Sequence, residues 1–257
     1  MRYLNDTDRE WDQWGKTDPY FAVFSDDRFR RVTLDDHSLQ EFFVSGQRHV
    51  DHVMEVISLH LRPGFVPARV LDYGCGVGRL VFPFAQGSGL VTGVDVSPAM
   101  IQEAAKNAVQ RKLENVRFLL TQDFEAEATG HFDLIHSFIV FQHLRPKRGE
   151  GILRNLLRRL EPGGLGAIHI TFDSNASIFL NAVRGLRKRS RLVNGILNLV
   201  RGNSLSQPGM QLNTYSLNRI FRLLLAEGCG SIYVEFSDHG GLLGTMLYFE
   251  KTQPPLL

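Results

Sequence analysis

Hydrophobic positions change their period several times along this chain, and each change marks an element. In SLQEFFVSGQRHVDHVMEVISLHL, Phe43, Val50, Met54 and Ile57 recur at helical spacing. RPGFVP, Arg62 to Pro67, ends that helix. Short, continuously apolar stretches then alternate with amphipathic ones. Strands are expected at Arg69–Tyr73, Leu90–Val96, Val116–Thr121, Phe132–Ile139 and Leu165–Phe172. Helices are expected at Val77–Gln86, over SPAMIQEAAKNAVQRK with Ser97 as N-cap and Pro98 in the first turn, and at Arg148–Leu160, closed by the EPGG of Glu161–Gly164. This rhythm predicts an α/β fold, a parallel sheet with helices on both faces.

After Phe172 the rhythm breaks. Phe179, Val183 and Leu186, then Val193, Ile196, Leu197 and Val200, keep helical spacing but alternate with arginines. A helix over Tyr215–Glu227 follows, then two closing strands, Ser231–Phe236 and Gly244–Lys251, joined by SDHGGLL and fitting a hairpin at one sheet edge. The chain therefore divides into an aromatic, helical N-terminal extension (1–65), a core (66–173), a basic helical insertion (174–211) and a closing helix with its hairpin (212–257).

Composition narrows the class without naming a function. The chain has 257 residues, ample for a full α/β core. Two cysteines, Cys75 and Cys229, supply neither a disulfide framework nor a four-cysteine zinc site. The N-terminus lacks a signal-peptide apolar core, and no apolar run approaches a membrane span. A cytoplasmic location is expected. The net charge of +2 is uneven: Ser174 to Ala226 holds eight basic and no acidic residues, leaving 21 basic against 27 acidic elsewhere.

Candidate chemistry begins at VLDYGCGVGRL, Val70 to Leu80. A dinucleotide fingerprint G-x-G-x-x-G would place its third glycine at position 79, where Arg79 stands. Asp95, at the end of the second strand and 21 residues beyond Gly74, can accept hydrogen bonds from a ribose diol. Asp72, just before the glycines, would repel a pyrophosphate but suits an ammonium, directly or through water. A donor with an ammonium, a sulfonium and a ribose but no phosphate fits best.

VLDYGCGVGRL, VTGVDVSPAMI, FDLIHSFIVFQHL and LRRLEPGGLGAIHI together resemble the successive motifs of the class I S-adenosylmethionine-dependent methyltransferases, over residues 68 to 173. The resemblance implies a Rossmann-like seven-stranded sheet in the order 3-2-1-4-5-7-6, with the last strand antiparallel. It implies that Asp72, Gly74, Cys75 and Gly76 line the methionine end of S-adenosyl-L-methionine and that Asp95 holds the ribose. Val96 and Met100 would flank the adenine, Asp123 would meet its amino group, and S-adenosyl-L-homocysteine would be the product.

The acceptor is less legible. His143, after the fourth strand, is the leading candidate for a base, and His239, in the final turn, is a weaker one. His136 and His169 fall within strands and read as core histidines; Trp14 and Tyr20 read as a lid or as packing. No metal is expected, since neither H-E-x-x-H nor a Cys-x-x-Cys pair occurs. The basic stretch 178–201 reads three ways: a cap or homodimer contact, a clamp for an anionic acceptor through Arg187–Arg191, or a peripheral membrane contact suited to a lipid-linked acceptor. Nucleic acid is not expected. The reading is thus methyl transfer to oxygen or nitrogen of a small molecule such as a sugar, nucleotide-sugar or polar metabolite. A NAD-dependent oxidoreductase and a non-catalytic S-adenosylmethionine-binding protein are its rivals.

Overall fold

The computed structural model describes residues 6–127, 131–174 and 210–252. Three N-terminal helices come first: α1 (Asp6–Thr17), α2 (Pro19–Val23) and α3 (Asp36–His60). The core follows as β1 (Arg69–Tyr73), α4 (Val81–Gln86), β2 (Leu90–Asp95), α5 (Pro98–Gln110), β3 (Val116–Leu120), α6 (Thr121–Ala126), β4 (Phe132–Ser137), α7 (Pro146–Arg159) and β5 (Leu160–Ser174). It closes with α8 (Leu217–Ala226), β6 (Cys229–Asp238) and β7 (Leu242–Lys251). The strands form one sheet in the order β3-β2-β1-β4-β5-β7-β6, as the motifs implied. β1 runs parallel to β2 and β4, β2 to β3, and β4 to β5, while β7 runs antiparallel to both β5 and β6.

Both faces are covered, so the central strands are largely apolar. Leu71, Ile135, Ile168 and Phe249 pack beneath α7 and α8 with Leu153, Leu156, Ile220 and Leu224. Val70, Leu134, Ala167 and Tyr248 pack with Val50, Val53 and Ile57 of α3 and Phe84 of α4. A third cluster joins Trp14, Tyr20, Phe21, Phe29 and Phe42 to Val77 and Met100, fixing the N-terminal helices over the core. Each large side chain sealed in this way contributes about 1.5–3 kcal/mol.

Several boundaries differ from the expected ones for local reasons. Helix α4 starts at Val81 and not at Val77, because Gly76 and Gly78 hold φ of +53° and +89°, outside helical space. Strand β5 includes the EPGG turn, since Leu160 already pairs with Phe132 across a shift in register. Helix α3 begins at Asp36 under a reciprocal cap, in which the Asp35 side chain accepts from the Ser38 backbone and the Ser38 hydroxyl meets the Asp35 backbone N–H. The basic insertion falls almost wholly on residues 175–209, outside the described residues.

Candidate functional site

The glycine turn sits where β1 ends against β2. The N–H groups of Gly74 and Cys75 both donate to Val94 O, at 2.7 and 3.0 Å. Gly74, Gly76 and Gly78 all have left-handed φ, so the turn bends at every second residue. Two neighbours press on it: a Cβ on Gly74 would lie 2.2 Å from Val140, and one on Gly76 would lie 2.4 Å from Val23 of α2. Cys75 is buried, and burial drives its thiol well above the usual range, so no thiolate forms there.

Asp95 ends β2 facing this turn. Its Oδ2 accepts from Gly76 N and its Oδ1 from Ser97 N, both at 2.9 Å. Burial pushes its carboxyl up to about 6, against the pull of the Ser97, Gly76 and Val96 amides. Each oxygen keeps a second lone pair for a further donor. Val96 is half-buried, and Met100 is buried in the cluster with Trp14. Asp123 is exposed in the first turn of α6.

Sheet register brings Asp72 and His136 together. They are aligned partners on adjacent parallel strands, so their side chains project from the same face. His136 Nδ1 lies 2.8 Å from Asp72 Oδ1, and both residues are sealed from solvent. His136 Nε2 lies 3.0 Å from Nε2 of His49, which descends from α3. Asp72 Oδ2 is buried and has no partner among the described residues. Arg79, also buried, reaches Ser45 Oγ at 3.3 Å with Nη1, while its Nε finds no partner among the described residues. Burial lowers its guanidinium to about 10, with Asp72 acting the other way.

The N-terminal helices pack against α5 and α7. Asp8 of α1 takes a two-pronged contact from Arg148 of α7, at 2.6 and 3.1 Å. Gly15 lets α1 lie on α5, since a Cβ there would come within 2.5 Å of Ser97 Oγ. The Tyr20 hydroxyl lies 2.9 Å from Glu103 Oε1 and 3.1 Å from Asn107 Oδ1 on α5.

His143 occupies a single 3-10 turn after β4, and both its ring nitrogens are engaged. Nδ1 lies 2.8 Å from Gln211 O, Nε2 lies 3.3 Å from Gln142 Nε2, and Trp11 packs edge-on against the ring at 4.8 Å. Burial lowers its imidazole to about 4, so it is neutral near physiological pH. Just before it, Ile139 holds φ of +58°, an outlier for a β-branched residue that marks the rim of the strand end.

Phe138, His169 and His239 meet on the face where α3 packs. The Phe138 ring centroid lies 4.1 Å from His49, 5.4 Å from His169 and 5.8 Å from His239. His169 Nε2 reaches Ser237 Oγ at 3.0 Å, whereas its Nδ1 is buried without a partner among the described residues. His239 is exposed in the β6–β7 turn and lies 5.2 Å from His169. His49 and Arg79 were not singled out from sequence. The signal for His49 was there: it is a titratable residue beside Val50, inside the buried stripe Phe42, Gly46, Val50, Val53 and Ile57 of α3.

These buried imidazoles set the acid response. His143, His169 and His49 are lowered to about 4, 3 and 2, chiefly by burial. The unfolded chain therefore binds protons that the folded chain does not, and stability falls as pH drops below the unfolded value of 6.5. Each group adds a slope of about 1.4 kcal/mol per pH unit until its folded value is reached. Asp95, raised by burial, acts in the opposite sense between about 6 and the unfolded value of 3.8. Urea midpoints are expected to fall from pH 7 to pH 5, and less so in His143→Asn; midpoints independent of pH would show that these rings are solvated.

With the geometry in place, comparison with known proteins is direct. Residues 70–164 match the family model described as a methyltransferase domain. The chain is 42% identical over 102 residues to aklanonic acid methyltransferase of Streptomyces sp. (strain C5), spanning 37% of this chain and 41% of that protein. It is 32% identical over 142 residues to magnesium-protoporphyrin O-methyltransferase of Synechocystis sp., 53% of this chain and 60% of that protein. A match to ubiquinone biosynthesis O-methyltransferase of Xanthomonas oryzae pv. oryzae is 31% identical and covers 49% and 52%. The chain thus spans about half the length of the curated relatives it matches. Among solved structures, magnesium protoporphyrin IX methyltransferase from Synechocystis PCC 6803 superposes with a TM-score of 0.59 at 21% identity, over 91% of this chain and 98% of that one.

Proposed function

Residues 70–164 belong to the class I S-adenosylmethionine-dependent methyltransferases, and from that premise we propose that the chain methylates an oxygen of a small organic acceptor. One observation carries the donor side: Asp72 Oδ2 is a buried carboxylate oxygen without a partner among the described residues, beside a turn of three left-handed glycines. Such an oxygen suits an ammonium and opposes a pyrophosphate. Asp95 fits a ribose diol through its remaining lone pairs, with Val96 and Met100 on the adenine side and Asp123 at its edge. Gly74, Cys75 and Gly76 would hold the amino-acid end beneath Val23 and Val140. When bound, the donor supplies a methyl group already activated on a sulfonium; the chain supplies alignment, exclusion of water and a place for a proton. Oxygen is preferred to nitrogen because two of the similar proteins are named O-methyltransferases.

His143 is assigned to holding the 141–143 turn in place, since neither of its nitrogens is left for an acceptor. Isothermal titration is expected to show binding of S-adenosylhomocysteine and none of NAD; the reverse result would overturn the reading. Asp95→Ala should weaken that binding by about 1.5–3 kcal/mol, the worth of a hydrogen bond to a charged group. The ionised form of Asp95 is the better acceptor, so affinity should rise as pH climbs through about 6 and then level off. Affinity that is flat across this range would detach Asp95 from the ribose.

A further inference from the structure

We propose that His49 takes the acceptor's proton and that His136, backed by Asp72, receives the resulting charge. This rests on the methyl-transfer reading. The three residues form one continuous chain built from three elements, α3, β4 and β1, with contacts of 3.0 and 2.8 Å. Its polarity follows from Asp72. A carboxylate only accepts, so the proton of the neutral His136 ring sits on Nδ1 and its Nε2 carries a lone pair. The His49 contact is then donated by His49 Nε2–H, which leaves His49 Nδ1 as the basic atom of the chain.

Position singles out His49 as the working end. His136 is sealed at 0% exposure, whereas His49 is only half-buried, with its ring 4.1 Å from Phe138. Phe138 lies just past the carboxyl end of β4, and in sheets of this kind ligands bind beyond the carboxyl ends of the strands. Around Phe138 stand His169, whose Nδ1 has no partner among the described residues, and His239. The groups acting electrostatically on His49 are His136, Arg79, His52 and His169, all of which disfavour a positive charge there. A lone His49 would be a poor base in that setting. A chain that delivers the charge to His136, against the Asp72 carboxylate, removes the difficulty.

The step balances. The acceptor oxygen gains the methyl carbon as the sulfonium C–S bond breaks and its electron pair stays on sulfur. The hydroxyl proton goes to His49 Nδ1, the His49 Nε2 proton goes to His136 Nε2, and His136 becomes an imidazolium paired with Asp72. One positive charge is lost at sulfur and one appears on His136, so the net charge of the site is unchanged. The acceptor class that needs this chain is a phenol or other weakly acidic hydroxyl. A carboxylic acid, ionised at neutral pH, has no proton to give.

Two readouts test the assignment. Nitrogen-15 spectra of histidine-labelled protein, with and without S-adenosylhomocysteine, should show His136 protonated at Nδ1 and His49 at Nε2. A His49 protonated at Nδ1, or a His136 protonated at Nε2, overturns the proposal. Transfer of labelled methyl to a panel of phenols and aromatic carboxylic acids supplies the second readout. His49→Gln should lower kcat on phenols roughly 10²- to 10⁴-fold, with S-adenosylhomocysteine affinity retained and the loss on carboxylic acids at least about tenfold smaller. Equal losses on both classes, or none on phenols, sink the idea. Absence of S-adenosylhomocysteine binding to the unaltered protein would instead remove the methyl-transfer reading; binding without turnover of any panel member leaves the decision to the spectra.

Discussion

Gly74→Ala is expected to destabilise the protein by about 2–5 kcal/mol. Gly74 holds φ of +81°, where an L side chain costs roughly 1–2 kcal/mol. The added Cβ would also stand 2.2 Å from a Val140 methyl, and relieving such an overlap costs about 1–3 kcal/mol. The two costs are separable. In Gly74→Ala combined with Val140→Ala the steric share should be recovered and the backbone share should remain, a coupling that a double-mutant cycle in urea reads directly. A single variant within about 0.5 kcal/mol of the parent would mean that the turn is not held as described. Because the turn is pinned to Val94 O, the same variant should lose S-adenosylhomocysteine binding even where it folds.

Arg148→Met should release the N-terminal cap. Asp8 is 2% exposed and meets Arg148 through two hydrogen bonds that join α1 to α7 across most of the chain. Breaking a fully buried pair by removing one partner costs roughly 3–5 kcal/mol, because the other charge stays in a poor environment. Arg148 is about one-quarter exposed, so a lower figure, about 2 kcal/mol, is expected here. The loss should be local. Amide exchange in α1 and α2 should quicken while β1, β4 and β5 keep their protection. Adding Asp8→Asn to Arg148→Met should restore part of the stability by removing the stranded charge. Unchanged protection of α1 in Arg148→Met would contradict the role given to this pair.

The sheet was legible because its central strands are covered on both faces. Largely apolar runs such as LVTGVD and FDLIHS, separated by amphipathic helices, leave few other arrangements. Boundaries at glycines were harder to place, since Val77 to Leu80 has the composition of a helix start but the φ values of a turn. The residues proposed for the donor side stand at fixed spacing within one stretch of chain, where the glycine turn meets Asp95. The histidine chain was not legible, because His49, His136 and Asp72 are far apart in sequence and meet only through sheet register and the seating of α3. His143 illustrates the converse. Its place after β4 suggested a free base, but the partners that occupy its nitrogens come from Gln142 and from Gln211, 68 residues away, which no local pattern announces.

Gln142 has a consequence for how this architecture tolerates change. Its side-chain oxygen accepts from Thr171 Oγ1 near the end of β5, and its backbone oxygen accepts from Asn213 N at the start of the return. Tyr215 then donates from its backbone to Thr171 O and from its hydroxyl toward Phe141 O and Leu144 O. The chain leaves and re-enters the core at one clamped point. Closure entropy between fixed ends grows only slowly, by about 0.6 kcal/mol for each doubling of the enclosed length. The stretch between Ser174 and Met210 can therefore be lengthened, shortened or exchanged with little strain on the sheet. Gln142 thereby makes this edge of the molecule a socket that can take a different insertion while the sheet is left as it stands.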